Sequence, residues 1–529
     1  MGNHPFSIVE EVKFRDIIAK GFPKRKCIYR KTLMHKISTT AINMRDSLKN
    51  KLTSTSVKYV CVTTDGWSVY KRSYIGMTVH WFNYTTLLRE SAVLACKRIK
   101  GRHTYDVITK MICKVFCEYG ITNKVTRVVT DNGSNFVKAF RVFGSEMKTA
   151  AEVWLDQIEH ENDNSDDSDG DEDAEDGIEV IELDSILNNT DDQDIAYSLP
   201  PHHRCASHTL NLVATKDSEN ALSNVLYKKQ ARSTFGKMQV LWNKQDRSSQ
   251  VADEIHDSLN KYIQIPNMTR WNSTFRAVQC LKDQLKKDEE KVLKICDVAN
   301  IPRFDKKDRN FMTDYCIVME PLVKALDILQ GDKSVCMGYL LPTINWLSKQ
   351  LEELSLTGGC CKALAAACAQ GVEKRFKNMK KDSTIILAAV SHPKFKLRWL
   401  SGDEKKEAND LLQLEIDATP NFDINDGISS KLPQGEDEFL FNDEDVEEPY
   451  PEIDRFIKAP YTSDLTMLNS MTIVKDIFIK YNTALPSSAS VERLFSVAGD
   501  ICSKKRSRMS DKNFEDTLFC KVNLKTINK

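Results

Sequence analysis

ALPSSASVERLFSVAGDICSKKRSRMSDKNFEDTLFCKVN, residues 484–523, reads as two helices joined by a basic connector. Pro486 and the serines after it mark a helix entry, and Gly499 marks its stop. Between them Val491, Leu494, Phe495 and Ala498 fall at i, i+3, i+4 and i+7, one apolar face of a helix. Glu492 stands at the edge of that face. It closes no capping box, because the residue three positions earlier is Ala489, which has no side-chain oxygen. A surface ion pair and a working carboxylate are its two remaining readings. Beyond Gly499 come Lys504, Lys505, Arg506 and Arg508, a cluster suited to phosphates. Ser510 then reads as an N-cap, and Phe514, Leu518 and Val522 repeat every four residues after it. Two such apolar faces need a cover, either a partner or the body of the chain's own domain.

Toward the N-terminus the period changes. VKYVCVTTDGW (57–67) is a β-rich run that brings Asp65 to the C-terminal end of a strand. YIGMTVHWFN (74–83) and RESAVLACKRI (89–99) follow as two more strands at hairpin spacing. HTYDVITKMICKVFCEYG (103–120) has Val107, Met111 and Val115 at helical spacing, with Ile108 and Ile112 beside them, and stops at Gly120. NKVTRVVTDNGSNFVKAF (123–140) supplies a short strand, Val125 to Thr130, which ends at Asp131 and turns into a helix. Three strands, a helix, a strand and a helix make the opening of an α/β, ribonuclease H-like fold. There the first and fourth strands are neighbours, which predicts Asp65 and Asp131 side by side. One Asp before Gly or Asn is ordinarily a turn residue. Two that each close a strand, joined by Glu492 from a late helix, form a different pattern. Such carboxylates can hold two divalent ions about 3.5–4 Å apart for in-line phosphodiester chemistry.

TTDGW (63–67), VTDNGSNFVKAF (129–140), SASVERLFSVAGDI (488–501) and KKRSRMSDKNFEDTLF (504–519) resemble, in that order, segments of hAT-superfamily DNA transposases. The resemblance runs from about Pro5 to Asn523. It implies that Asp65, Asp131 and Glu492 are catalytic acids and ligands of Mg²⁺ or Mn²⁺. It also implies DNA as substrate, cut-and-paste cleavage and strand transfer, a nuclear location, and self-association through a C-terminal dimerisation region spanning Ile473–Asn523. In PHHRCASHTLNLV (201–213), Cys205 and His208 match the family's C-x-x-H segment, which implies site-shaping residues. Zinc is the competing reading of His202, His203, Cys205 and His208, but they are too closely spaced for two ligand pairs. Arg270 and Trp271 match the family's R-W-N-S-T segment, implying contact with DNA and stacking of the Trp on an unpaired base. A core Trp beside a surface Arg is the alternative. The family's upstream BED zinc finger has no counterpart here, for the sequence holds no C-x-x-C, and no zinc finger is expected. Two departures stand out: His392 and Pro393 replace an Asp-Pro pair, and residues 455–486 lack a Trp-rich segment.

Composition agrees with a nucleic-acid partner. The 75 basic and 75 acidic residues cancel, yet Thr149 to His203 contains nineteen acidic residues and no Lys or Arg. The remainder therefore carries 75 basic against 56 acidic residues, a surplus of 19. Fifteen scattered cysteines without an export signal predict reduced thiols. No apolar run of membrane-spanning length occurs, so no membrane partner is expected. Gly2 invites a myristoylation reading, which Phe6 at the sixth position disfavours.

The expected organisation is a basic helical region over 1–56 and the first part of the ribonuclease H-like core over 57–148. An acidic disordered insertion over 149–201 follows, either a solvated linker or an internal mimic of DNA. Residues 202–399 hold the remaining core entry and a large all-α insertion, 400–455 an acidic linker, and 456–529 the dimerisation region completing the core. Two functions fit this layout. One is an active transposase. The other is a domesticated or inactive derivative that binds DNA as a transcription-associated dimer, with a decayed transposon copy as a further reading.

Overall fold

The computed structural model describes residues 4–131, 133–149, 152, 197–267, 271–331, 334–419, 452–502 and 509–527. Arg270, Lys504, Lys505, Arg506, Arg508 and most of the acidic insertion lie outside the described residues.

Five strands form one mixed sheet: β1 (Val60–Val69), β2 (Arg72–Phe82), β3 (Arg89–Ile99), β4 (Val125–Thr130) and β5 (His202–Arg204), in the order β3-β2-β1-β4-β5. The first three are antiparallel, whereas β4 runs parallel to β1 and β5 parallel to β4. Four of these strands were legible as β-rich runs, and β1 and β4 are neighbours as expected. Asp65 does not close its strand. β1 continues to Val69 because β2 keeps pairing with it, from Asp65↔Gly76 to Val69↔Arg72. The two-residue turn between them uses Tyr70 and Lys71 at φ +48° and +61°, the left-handed pair of a type I′ hairpin without its usual Asn-Gly. β5 was not expected as a strand.

The helix Tyr105–Tyr119 ends where Gly120 takes a left-handed conformation, and its backbone N–H closes onto the last carbonyls. Arg30–Thr53 buries Ile37, Ala41, Met44, Leu48 and Leu52, a single stripe of the 3.6-residue period. This stripe packs beside the helix Asp511–Ile527, where Arg45 bonds Asp516 at 2.8 Å and lies over the Phe519 ring.

The last two helices are part of the sheet's own core. In Ala489–Ile501 the predicted face, Val491, Leu494, Phe495 and Ala498, is buried against β1 and β2, and Phe495 stacks on Trp67 at 5.7 Å. The helix passes through Gly499 and ends at Ile501, so that glycine is interior and not a stop. Asp511–Ile527 starts with Ser510 accepting the Asn513 N–H, as predicted, and buries Phe514 and Leu518. Asn523 pins it to the sheet by bonding both the N–H and the C=O of Val93 in β3, at 2.9 and 3.0 Å. The chain's own domain therefore covers these apolar faces.

Helix Ala489–Ile501 approaches so closely that a Cβ on Gly76 would stand 2.5 Å from Phe495 Cε1 and 2.9 Å from Val491 Cγ2. Gly76→Ala is accordingly expected to cost about 1–3 kcal/mol of stability through overpacking. Urea titration checks this, and an unchanged midpoint would mean that the helix lifts freely.

Among the described residues between β5 and residue 399 every element is helical, as expected, and they build a second core around the long helices Val225–Arg247, Lys306–Leu329, Leu340–Thr357 and Lys362–Lys380. The stretch expected as an acidic linker over 400–455 contains a helix among its described residues. Gly402–Asp417 is a helix that buries Ala408, Leu412, Glu415 and Ile416. Glu415 is offset by Tyr481, whose hydroxyl donates to it at 2.5 Å, and by Lys480 at 3.0 Å. Among the described residues no helix is long and apolar enough to cross a membrane.

Candidate active site

The sheet register brings the two aspartates together. Parallel pairing of β1 with β4 ends at Thr63↔Val129, and Asp65 and Asp131 each lie two residues further on. Equal offsets from one pair put both side chains on the same face of the sheet, because side chains alternate with period two. The two carboxyl groups are close enough to interact, and Asp65 is pushed up to about 7. Burial is the main cause, followed by the negative charge of Asp131. The charge of Glu492 adds to it, against a lowering by the Gly66 N–H.

The turn after β4 is built around Asp131. Its Oδ1 accepts the Gly133 N–H at 2.9 Å, and a Cβ on Gly133 would meet that oxygen at the same distance. Thr130 donates to the Asp131 carbonyl at 2.7 Å while lying 2.8 Å from His202 Nε2. Since the Thr130 proton is already used, His202 supplies the proton of the second contact. Burial holds His202 down to about 4, so the donor is the neutral ring. Its ring also stacks on Phe140 at 4.5 Å, while His203 lies on the opposite side of the three-residue strand, buried.

Glu492 occupies the first turn of its helix, half-buried, and lines a cavity of about 240 Å³ with Ser207, His208, Asn211, Trp271 and Gln330. Its charge reaches Asp65. Among the described residues no three His, Cys, Asp or Glu side chains are gathered tightly enough to hold one ion.

Cys205 is fully buried and caps the helix Ala206–Thr215, accepting the His208 N–H at 3.4 Å. The same sulfur accepts the Ser488 N–H at 3.3 Å, and Ala206 N–H donates to Pro486 O at 2.9 Å. One thiol thus joins the entry of the Glu492 helix to the helix carrying His208. Burial raises its pKa, which keeps it a thiol. Trp271 opens the helix Trp271–Lys287 and is 7% exposed. Its indole N–H has no hydrogen-bond partner among the described residues. It also borders a larger cavity of about 750 Å³ with Trp242, Phe235 and Tyr315.

Sequence reading missed Thr63, Thr78, His80 and Ser490, which lie directly beneath the carboxylates, as well as His202 in its bond to Thr130. Scattered between residues 63 and 490, most of them within largely apolar runs, they carry no periodic signal.

No family model matches the chain. Over 277 residues, 52% of its length, it is 25% identical to the AC transposase of Zea mays, and equally to the AC9 transposase of that plant. The matched stretch spans 29% and 28% of those two proteins, less than a third of either.

Proposed function

We propose that this chain, a relative of the hAT-type Ac transposases, is a metal-dependent DNA transposase with a ribonuclease H-like core, acting through Asp65, Asp131 and Glu492. The observation that carries this reading is the carboxyl pair set by equal register offsets, with Glu492 entering from the last part of the chain. The strand order β3-β2-β1-β4-β5 with an antiparallel β2 supports the ribonuclease H-like core.

The residues present suit a hard divalent cation. All the donors are carboxylate oxygens, the set that favours Mg²⁺ or Mn²⁺ over softer ions. The negative charge of Asp131 beside Asp65 carries a cost that a nearby dication reverses. When bound, the metal supplies activation of the attacking oxygen and stabilisation of the leaving one. Asp65 and Asp131 would hold it from the sheet, and Glu492 from its helix. Cys205 and His208 hold the Glu492 helix and the cavity beside it in place. Trp271 and Arg270 would steady an unpaired base near the cut, while Lys504, Lys505, Arg506 and Arg508 would meet phosphates. Self-association of the C-terminal region would use its outward surfaces, since its apolar faces are covered.

A second reading is a DNA-binding dimer without catalysis, located like the first in the nucleus. It is favoured by the lack, among the described residues, of three His, Cys, Asp or Glu side chains gathered tightly enough to hold one ion. The test is strand cleavage and transfer by the full chain on the DNA flanking its own gene copy, with Mg²⁺ or Mn²⁺. Metal-dependent cutting is expected. Binding that weakens steeply with salt but never leads to cutting would select the second reading.

A further inference from the structure

Beneath the carboxylates lies a buried polar cluster that the reaction scheme does not use. Thr63 of β1 and Thr78 of β2 are direct cross-strand partners, and their hydroxyls are 2.6 Å apart. Ser490, in the first turn of the Glu492 helix, lies 3.0 Å from the Thr63 hydroxyl and 3.2 Å from that of Thr78. His80 Nε2 lies 2.9 Å from the Thr78 hydroxyl. Thr63, Thr78 and His80 are buried.

Counting protons fixes how the cluster is wired. Four contacts need four protons, and three hydroxyls bring three. A ring in which Thr78 donates to Ser490, Ser490 to Thr63 and Thr63 to Thr78 uses all of them. The fourth must come from His80, so Nε2 carries a hydrogen. With the opposite tautomer, one edge of the triangle would set two oxygen lone pairs against each other in a buried site, at a cost of about 1–3 kcal/mol.

The placement matters because each anchor sits two residues before an acid: Thr63 before Asp65, and Ser490 before Glu492. Resting on the carboxylate reading above, we propose that the Thr63–Thr78–Ser490 triangle, closed by the Nε2–H of His80, sets how far Glu492 stands from Asp65. Thr78 and His80 are then positioning residues for the metal. Apolar packing alone lets a helix slide or roll by fractions of an ångström. Two hydroxyl contacts from Ser490 at its first turn, one to each of two strands that are themselves joined by a third, remove that freedom. Thr78 touches neither acid and acts only through Ser490 and Thr63.

The test compares Thr78→Val, which keeps the shape and loses the hydroxyl, with Thr78→Ser, which keeps the hydroxyl. Mn²⁺ binding to the full chain is followed by calorimetry, and Asp65→Asn marks the site-specific signal. Thr78→Val is expected to weaken Mn²⁺ binding about 10- to 100-fold, the usual range for partners that orient metal ligands, with Thr78→Ser within about twofold of wild type. The ¹⁵N shifts of the His80 ring, read without metal, should show hydrogen on Nε2. Should Thr78→Val fail to fold, Ser490→Ala at the less buried corner of the triangle gives the same comparison. Equal affinity in Thr78→Val and wild type, equal losses in the Val and Ser variants, or hydrogen on Nδ1 would each overturn the proposal. Wild-type protein that binds no Mn²⁺ through Asp65 would sink the carboxylate reading itself, a result separable from all of these.

Discussion

Glu492→Gln is expected to lower metal-dependent strand cleavage on the order of 10³-fold, about 4 kcal/mol of transition-state stabilisation, while shifting the melting temperature by no more than about 2 °C. The substitution keeps the size and hydrogen-bonding capacity of the side chain and removes its charge. Glu492 is half-buried at the edge of a polar cavity, among Ser207, His208, Asn211 and Gln330, where an amide is readily accommodated. None of the four apolar residues that seat its helix is altered. Cleavage rates and thermal melts on the same preparations separate the outcomes. Wild-type cutting by the variant would remove Glu492 from the reaction. A parallel collapse of activity and melting temperature would make it a structural residue.

Asp65→Asn is expected to stabilise the metal-free protein at pH 8, by about 2–4 kcal/mol, and to have little effect near pH 4. The sign follows from proton binding. The unfolded chain releases the Asp65 proton near its ordinary 3.8, whereas the folded chain holds it until about 7. Between those values the folded state carries more protons, so stability falls as pH rises through the window and stays reduced above it. Asparagine has no proton to lose and escapes the cost. The upper figure corresponds to the full shift, and solvent screening of the half-buried Asp65 brings it down. Comparing variant and wild type at each pH cancels every other titrating group. Mg²⁺ should stabilise the wild type at pH 8 and leave the variant nearly unaffected. Identical urea midpoints for the two proteins at pH 8 would mean that the aspartates do not burden each other.

Much of this architecture was readable from local pattern. Val125 to Thr130 and the runs at 74–83 and 89–99 became strands because alternating and β-branched residues suit a sheet covered by helices. The face Val491, Leu494, Phe495 and Ala498 was buried as its spacing required. Other features had no local signal. Tyr70 and Lys71 adopt left-handed turn conformations that neither residue favours, held there by the long pairing of β1 with β2. Gly499 looked like a stop, but the helix around it is clamped by Trp67 and the sheet and continues to Ile501. His202–Arg204 is too short and polar to announce a strand, and exists because the free edge of β4 pairs with it. The acidic text after Leu400 concealed Ala408, Leu412 and Ile416, one helical stripe whose burial also draws in Glu415.

The sequence by itself determined four of the five strands, the inward face Val491, Leu494, Phe495 and Ala498, and the segments that carry Asp65, Asp131 and Glu492. Periodicity is a property of neighbours within a few residues, and it survives without any knowledge of the fold. Only the tertiary structure decided that Asp65 and Asp131 lie side by side, that Glu492 borders a polar cavity, and that Thr63, Thr78 and Ser490 meet. Those distances depend on strand register and on one helix resting against Gly76, and both are fixed by contacts beyond the reach of local periodicity.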